Sequence, residues 1–356
     1  MMQVLFRIPF FDIPVYGFGM MLFLAFVLCT WLAGKRAAER GIPPGKIQDL
    51  SIWVFLGGLI GARTLFLLQQ QPRPTLMEFL TQFPRIWDGG IILYGSVAGG
   101  MAGLFIHWWL VFRKQNFPFL LVADILAPSV ALGVAIGRVG CLMNGCCFGQ
   151  PVEPAHPTIT VSFPLPSPPR YELVRVGLQT AAGFTLSDKQ KGEGVIVGKV
   201  VPGSAAAAAG LKHGDIVTSV DGKPVKTPFD LALLFGPDWP RGKNSVTLGL
   251  AGKPNASFTP HGLELHPAQV YETISMGLLL WLLLAFEPFQ YRQGQLLALL
   301  MCAYAMHRFL NELLRNDPRP ISLESNVSVF LFLGGILLAV VLQFRGGNTG
   351  KTATAG

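Results

Sequence analysis

Seven apolar runs, near 15–34, 50–68, 91–112, 121–143, 268–286, 295–314 and 327–344, are each about 18 residues or longer. No other feature constrains this chain as tightly. A run of that length crosses the hydrocarbon core of a bilayer as a helix, which satisfies its own backbone hydrogen bonds in lipid. Composition agrees: hydrophobic residues fill 51% of the 356 positions and charged residues only 13%, about half the charged share of soluble domains. Mean hydropathy is +0.47. The sequence predicts an all-α polytopic membrane bundle of about seven transmembrane helices. The second, third and sixth runs carry polar residues, and the sixth is the weakest of the seven.

Lysine and arginine near the run ends set orientation. Lys35, Arg36, Arg40, Lys46, Arg113, Lys114, Arg292, Arg345 and Lys351 fall on one side, against Arg7, Arg73, Arg85, Arg315 and Arg319 on the other. The richer side is cytoplasmic, so the N-terminus is expected outside and the C-terminus inside, in a multi-pass protein of a bacterial cell (inner) membrane. The positive charges of the first run follow it, which argues against a cleaved signal peptide. The net charge of +8 suits anchoring at an anionic leaflet, and no feature points to nucleic acid.

The domain organisation follows. Residues 1–149 hold spans one to four, 150–265 a polar extracytoplasmic insert, 266–344 spans five to seven, and 345–356 a tail expected to be disordered. The insert opens with a proline-rich linker, "PTITVSFPLPSPPR". "GVIVGKVV" alternates as a strand does, "GSAAAAAG" reads as a short helix with a glycine stop, and "GDIVTSVDGKPV" as two strands joined at Asp221-Gly222. "PFDLALLFG" is a second short helix and "KNSVTLGL" a last strand. This order resembles a PDZ domain, with its core at about 170–255. That resemblance places "AAGF" at the carboxylate-binding loop and "FTLS" at a strand edge that accepts a peptide. It implies peptide binding at Gly183, Phe184 and Thr185. The plain alternative is a spacer. His213 reads as a surface residue.

Polar groups inside the apolar runs are costly and therefore functional candidates. Arg138 lies near the outer end of span four. Tyr304, Arg308, Glu312 and Arg315 follow helical spacing and are expected on one face of span six, Arg308 and Arg315 about 10 Å apart along the axis. Arg63 adds a cation to span two. Arginine stays charged and binds phosphate bidentately, so outer-leaflet arginines suit a phospholipid head group. The plain alternative pairs Glu312 with an arginine and lets the others reach the interface. Protease chemistry lacks its motifs, for no H-E-x-x-H or G-x-S-x-G occurs, and Ser96 has no evident histidine partner.

Six stretches, "VYGFGMMLFLAF" at 15–26, "GGLIGAR" at 57–63, "WDGGIILYGSVAGG" at 87–100, "ADILAPSVALGVAIGRVGCLMNGCCFG" at 123–149, "HPAQVYE" at 266–272 and "HRFLNELLRNDPRP" at 307–320, give the chain a family resemblance. It resembles the prolipoprotein diacylglyceryl transferases over roughly 240 residues. The resemblance implies transfer of a diacylglyceryl group from phosphatidylglycerol to the lipobox cysteine of a prolipoprotein signal peptide, with release of glycerol-1-phosphate and no cofactor. It implies that Arg138 holds the lipid phosphate and that Arg308 assists the departing glycerol phosphate, with Glu312 and Arg315 orienting it. Tyr16 would lie near the head group. Asn144, Gly149, His266, Gln269 and Glu272, with Arg63 and Tyr304, complete the expected substrate site. The family commonly has histidine, a natural general base, where this chain has Tyr94. Tyrosine, ionising near pH 10, is a poor base unless neighbouring cations depress it. Two other readings stand beside this one: a related membrane enzyme with a different phospholipid or acceptor, and a non-catalytic membrane receptor that binds peptides through the insert.

Cysteines stand at 141 and 146, where the family's usual motif has asparagine and glutamate. Cys141, Cys146 and Cys147 read first as small apolar fillers, then as a disulfide on an oxidising face, and last as a transient lipid acceptor or a metal site. The expectation is no metal, since a metal wants more widely spaced thiols or a histidine, and His156 is the nearby candidate. Cys29 and Cys302 read as packing residues, His107 and His307 as satisfied bundle residues. The glycines of "GGLIG" and "GSVAGG" are expected to let helices approach closely.

Overall fold

A computed structural model describes residues 4–9, 13–70, 74–85, 92–152, 159–163, 167–187, 194–235, 239, 243–260, 262–315 and 321–344. The expected tail, His156, and the Arg73, Arg319, Arg345 and Lys351 counted for orientation lie outside these residues. The long helices are α1 (Gly17–Ala38), α2 (Pro44–Leu68), α4 (Leu93–His107), α5 (Phe119–Asn144), α9 (Ala268–Phe286), α10 (Gln295–Glu312) and α11 (Ile321–Phe344). A π turn at Trp108–Phe112 and a 3-10 turn at Arg113–Gln115 extend α4. Six segments are long and apolar enough to cross a membrane among the described residues. The sixth run forms its helix, α10, but is not among the six, because Arg308, Asn311 and Glu312 lower its hydropathy. Outside the insert, a hairpin of β1 (Val4–Ile8) and β2 (Ile13–Tyr16) and the short α3 (Leu76–Gln82) escaped the sequence reading. Helix α3 starts in a Thr75–Glu78 capping box, a local signal legible in sequence.

The chain forms two compact units, Met1–Met21 with Gly137–Thr273 and Phe309–Glu324, and Leu22–Ile136 with Ile274–Arg308 and Ser325–Gly356. In the second unit, α2 and α4 meet through glycine. A Cβ on Gly61 would lie 2.2 Å from Gly95 O, and one on Gly99 would lie 2.1 Å from Gly57 O. The expected close approach is borne out for these two helices. Pro128 lies inside α5 and cannot donate to the carbonyl of Asp124 four residues back. Arg36 Nη1 donates to that carbonyl instead, at 2.8 Å. The Asp124 carboxylate accepts from Leu297 N at 2.9 Å. Arg36 and Arg40 pair with Glu287 at 2.8 and 2.9 Å.

In the first unit lies the insert. Strands β3 (Phe184–Leu186), β4 (Val195–Val200), β5 (Ile216–Val220), β7 (Val246–Leu250) and β8 (Ala256–Phe258) form an antiparallel sheet in the order β3-β4-β5-β7-β8, with β6 (Lys223–Pro224) pairing on β5. The turn between β5 and β6 has φ of 51° at Asp221 and 80° at Gly222, the left-handed pair that a two-residue hairpin requires. Helices α7 (Ala205–Ala208) and α8 (Pro228–Phe235) fall where the sequence placed them. Val195, Val197, Val217, Leu248 and Phe235 belong to one apolar core. Two expectations need correction. Strand β8 follows the strand taken as last. Residues assigned to the proline-rich linker begin a helix, α6 (Pro168–Arg175), because proline suits the first turn, where no N–H partner is needed.

Candidate functional site

Helix α5 stops where its sequence turns to glycine and cysteine. Gly145, at φ 79°, and Cys146 both donate their N–H to Cys141 O, at 2.8 and 3.1 Å. This is a left-handed helix stop. Cys147 is left-handed too, at φ 62°, which costs a residue with a side chain about 1 kcal/mol or more. The two reversals fold the chain back, and the Sγ atoms of Cys141, Cys146 and Cys147 all lie within 4.8 Å of one another. All are half-buried free thiols. Gln269, fully buried in the first turn of α9, donates to Cys146 O at 2.7 Å.

Beyond this turn three distant segments lie side by side. Gly149 N donates to His266 O at 3.1 Å, His266 N to Gln150 O at 2.9 Å, and Gln150 N to Leu314 O at 3.0 Å. Gly149 and Arg315 form a β-bridge. Residue 149 is glycine for a steric reason: a Cβ there would lie 2.3 Å from His266 O. This clasp, continued by Val152 N to Glu264 O at 2.9 Å, closes the two ends of the insert.

The clasp also sets charges against each other. Glu272, on α9 and 1% exposed, pairs with Arg138 Nε, and its other oxygen is 3.6 Å from Arg315 Nη1. Two guanidiniums thus stand against one buried carboxylate. At low dielectric guanidiniums attract an anion strongly. Each guanidinium carries five donors in a planar fork that matches phosphate.

Of the residues singled out from sequence, Arg138, Asn144, Gly149, His266, Gln269, Glu272 and Arg315 all belong to this unit. So do Tyr16, which ends β2 and is exposed, and Glu312, which ends α10. Arg63, Tyr94, Tyr304 and Arg308 belong to the other unit. There Arg63 is buried and donates to Gln82 O and Arg85 O at 2.8 and 2.9 Å, holding the end of α3. Tyr94 stands exposed in the first turn of α4. Tyr304 lies beside the ring of His307, centroids 5.9 Å apart.

Three expectations change. The polar stripe does not run along one helix, because α10 ends at Glu312 and Arg315 sits past a turn in the bridge to Gly149. Arg138 pairs with Glu272 and does not simply reach the interface, a pairing invisible in sequence because the glutamate comes from the far side of the insert. Glu272, which the sequence paired with no cation, is the carboxylate that faces both Arg138 and Arg315. A Ser/His contact was also missed: Ser275 Oγ and His307 Nδ1 are 2.8 Å apart. Both lie on helical runs with no local signal. In the insert, Phe184 is buried in the core, Gly183 has φ 91°, and Thr185 Oγ1 accepts from Lys199 N at 2.8 Å.

The sequence pattern described as "Prolipoprotein diacylglyceryl transferase" matches residues 3–341. A phosphatidylglycerol–prolipoprotein diacylglyceryl transferase of Rhodopirellula baltica is 34% identical over 235 residues, 62% of this chain and 46% of that relative. The chain thus spans about half the length of that relative. Two clostridial proteins are covered almost end to end. The second such transferase of Clostridium perfringens is 23% identical over 94% of both chains. The one of Clostridium tetani is 23% identical over 97% of this chain and 99% of the relative.

Proposed function

The chain belongs to the prolipoprotein diacylglyceryl transferase family, and from that premise we propose that it moves the diacylglyceryl group of phosphatidylglycerol to the lipobox cysteine of a prolipoprotein. The observation that carries this reading is Glu272 shared by Arg138 and Arg315. The two guanidiniums hold the lipid phosphate and stabilise the glycerol-1-phosphate that leaves. Donors aimed at developing charge typically account for about 10²–10³ in rate each. The family resemblance assigns Arg308, Tyr94, Tyr304 and Arg63 to the same reaction, and their support is the sequence motifs that carry them. Tyr16 and Glu312 complete the lipid site, and Asn144, His266 and Gln269 shape it.

In this reading α10 is a seventh span, its polar face turned from lipid. The basic side that carries Lys35, Arg36, Arg40 and Lys46 faces the cytoplasm of a bacterial inner membrane, and the insert is extracytoplasmic. The insert is a PDZ-like module that receives an extended peptide along β3. Support comes from β3 being an edge of the sheet among the described residues and from Phe184 packing edge-on against Phe235 of α8, centroids 6.3 Å apart. With Phe184 buried, the peptide meets the backbone of Gly183, Phe184 and Thr185.

The test uses purified protein in detergent with a lipobox peptide and either phosphatidylglycerol or phosphatidylethanolamine. Mass spectrometry is expected to find diacylglyceryl on the peptide cysteine with phosphatidylglycerol. Product from phosphatidylethanolamine alone would replace this reading with a related enzyme of different donor.

A further inference from the structure

The turn that carries Cys141, Cys146 and Cys147 has features that holding a phosphate does not use. Its three Sγ atoms already lie within 4.8 Å of one another. Around zinc, with Zn–S of about 2.3 Å, tetrahedral thiolates stand about 3.8 Å apart, a closing that rotation of half-buried side chains supplies. The backbone is also held at a cost. Cys147 keeps a left-handed φ of 62°, where glycine would be unstrained, and the buried Gln269 pins Cys146 O. Strain of this kind persists where surrounding structure imposes it, and it concentrates at ligand sites. Finally, the neighbourhood is cationic. Arg138 and Arg315 both lie against the Glu272 carboxylate, so cations stand beside the turn. With five donors on each guanidinium, the same arginines steady the thiolates and hold a phosphate.

We infer that Cys141, Cys146 and Cys147 form a three-thiolate zinc site whose fourth position is open to the acceptor thiol. The identity of that thiol rests on the function proposed above, whereas the metal site rests on the geometry alone. Three protein ligands and one open position are the pattern of catalytic zinc, a closed-shell ion without redox chemistry. A thiol that coordinates zinc loses its proton. In the step itself the acceptor thiol takes the open position and its proton passes to water. The sulfur then attacks the diacylglyceryl carbon bonded to the phosphate oxygen. The C–S bond forms as the C–O bond breaks, and the electron pair leaves on that oxygen, facing Arg138 and Arg315. The thioether product, a weak ligand, departs. The acceptor is thereby activated without a protein base, in a chain that carries tyrosine at position 94.

The test titrates reduced, chelator-stripped full-length protein in detergent with Co²⁺ alone. One equivalent is expected to bind with a thiolate-to-cobalt charge-transfer band. Addition of a lipobox peptide is expected to shift the spectrum, while the same peptide with serine for cysteine does not. Cys146→Ser and Cys147→Ser, in protein that still folds, are expected to weaken the band. In parallel, chelation is expected to slow transfer about 30-fold at pH 7, since only about 3% of a free thiol with pKa about 8.5 is then ionised, and Zn²⁺ should restore it. A reduced protein with no such band overturns the metal site. A band that the peptide leaves unmoved overturns the acceptor role, as does transfer at full rate after chelation, and the transferase function then survives. Cobalt binding without transfer from any phospholipid instead overturns the transferase reading and leaves the metal site standing.

Discussion

In the insert Val195, Val217, Val246 and Leu248 of the sheet are fully buried, and the aromatic Phe184, Phe235 and Trp239 are nearly so. On the long helices the pattern reverses: Trp281 of α9 is 69% exposed, and Phe330 and Leu337 of α11 are 73% and 65% exposed. The insert hides apolar side chains because water surrounds it and burial is favourable by about 25 cal/mol per Å². The helices show theirs because lipid gives no reason to hide them, and they cohere through backbone contact at glycine and through polar groups instead. The helices therefore break when a small residue grows or a charge loses its partner. The insert breaks when an apolar residue shrinks.

The largest effect is expected at Gly61→Leu. Its Cβ alone would sit 2.2 Å from Gly95 O, a backbone atom that cannot yield, so α2 and α4 must part. A loss of about 5 kcal/mol or more is expected, seen as failure to recover monodisperse protein from membranes. Normal recovery would mean that the helices do not need this approach. Glu272→Ala comes next, because it removes the buried carboxylate that pairs with Arg138 and faces Arg315. Removing one member of a buried ion pair costs about 4 kcal/mol, and thermal melting in detergent reads it. Leu248→Ala is expected to cost about 3 kcal/mol in the insert alone, measured as protease sensitivity of the insert while the helices stay intact. Simultaneous melting of the helices would mean that the insert and the helices do not fail separately.

The smallest effect concerns acid. Burial pushes the Asp215 carboxyl up, but its hydrogen bonds from Lys253 and Lys212 N outweigh that and hold it below its ordinary value. A carboxylate depressed in the folded state contributes stability above its unfolded pKa of about 3.9, and that contribution fades as pH falls toward the folded value. Asp215→Asn is expected to flatten the acid limb of the insert's unfolding curve, and an unchanged limb would assign that slope to other groups.

Most of the fold was legible because its signals are local. Apolar runs gave the helices, alternation gave β4 and β5, and the Asp221-Gly222 pair gave the hairpin between β5 and β6. Helix α10 was legible as a helix, yet not where it ends, since Glu312 and Arg315 keep helical spacing although the chain leaves the helix between them. The site was legible residue by residue, through charges placed in apolar runs, but its pairing was not. Arg138 meets Glu272 across the whole insert, and no local pattern records that distance. The convergence of the three thiols was hidden for a different reason. It depends on left-handed φ at Gly145 and Cys147, and cysteine gives no advance sign of such a conformation.

The most direct measurement is transfer of diacylglyceryl from phosphatidylglycerol to a lipobox peptide by the wild type and by Arg138→Ala, each first shown to be folded by its melting profile. A folded variant that has lost about 10²-fold or more in rate is the predicted result. A folded Arg138→Ala that transfers as fast as the wild type would contradict the assignment of the phosphate to the Arg138–Glu272–Arg315 group.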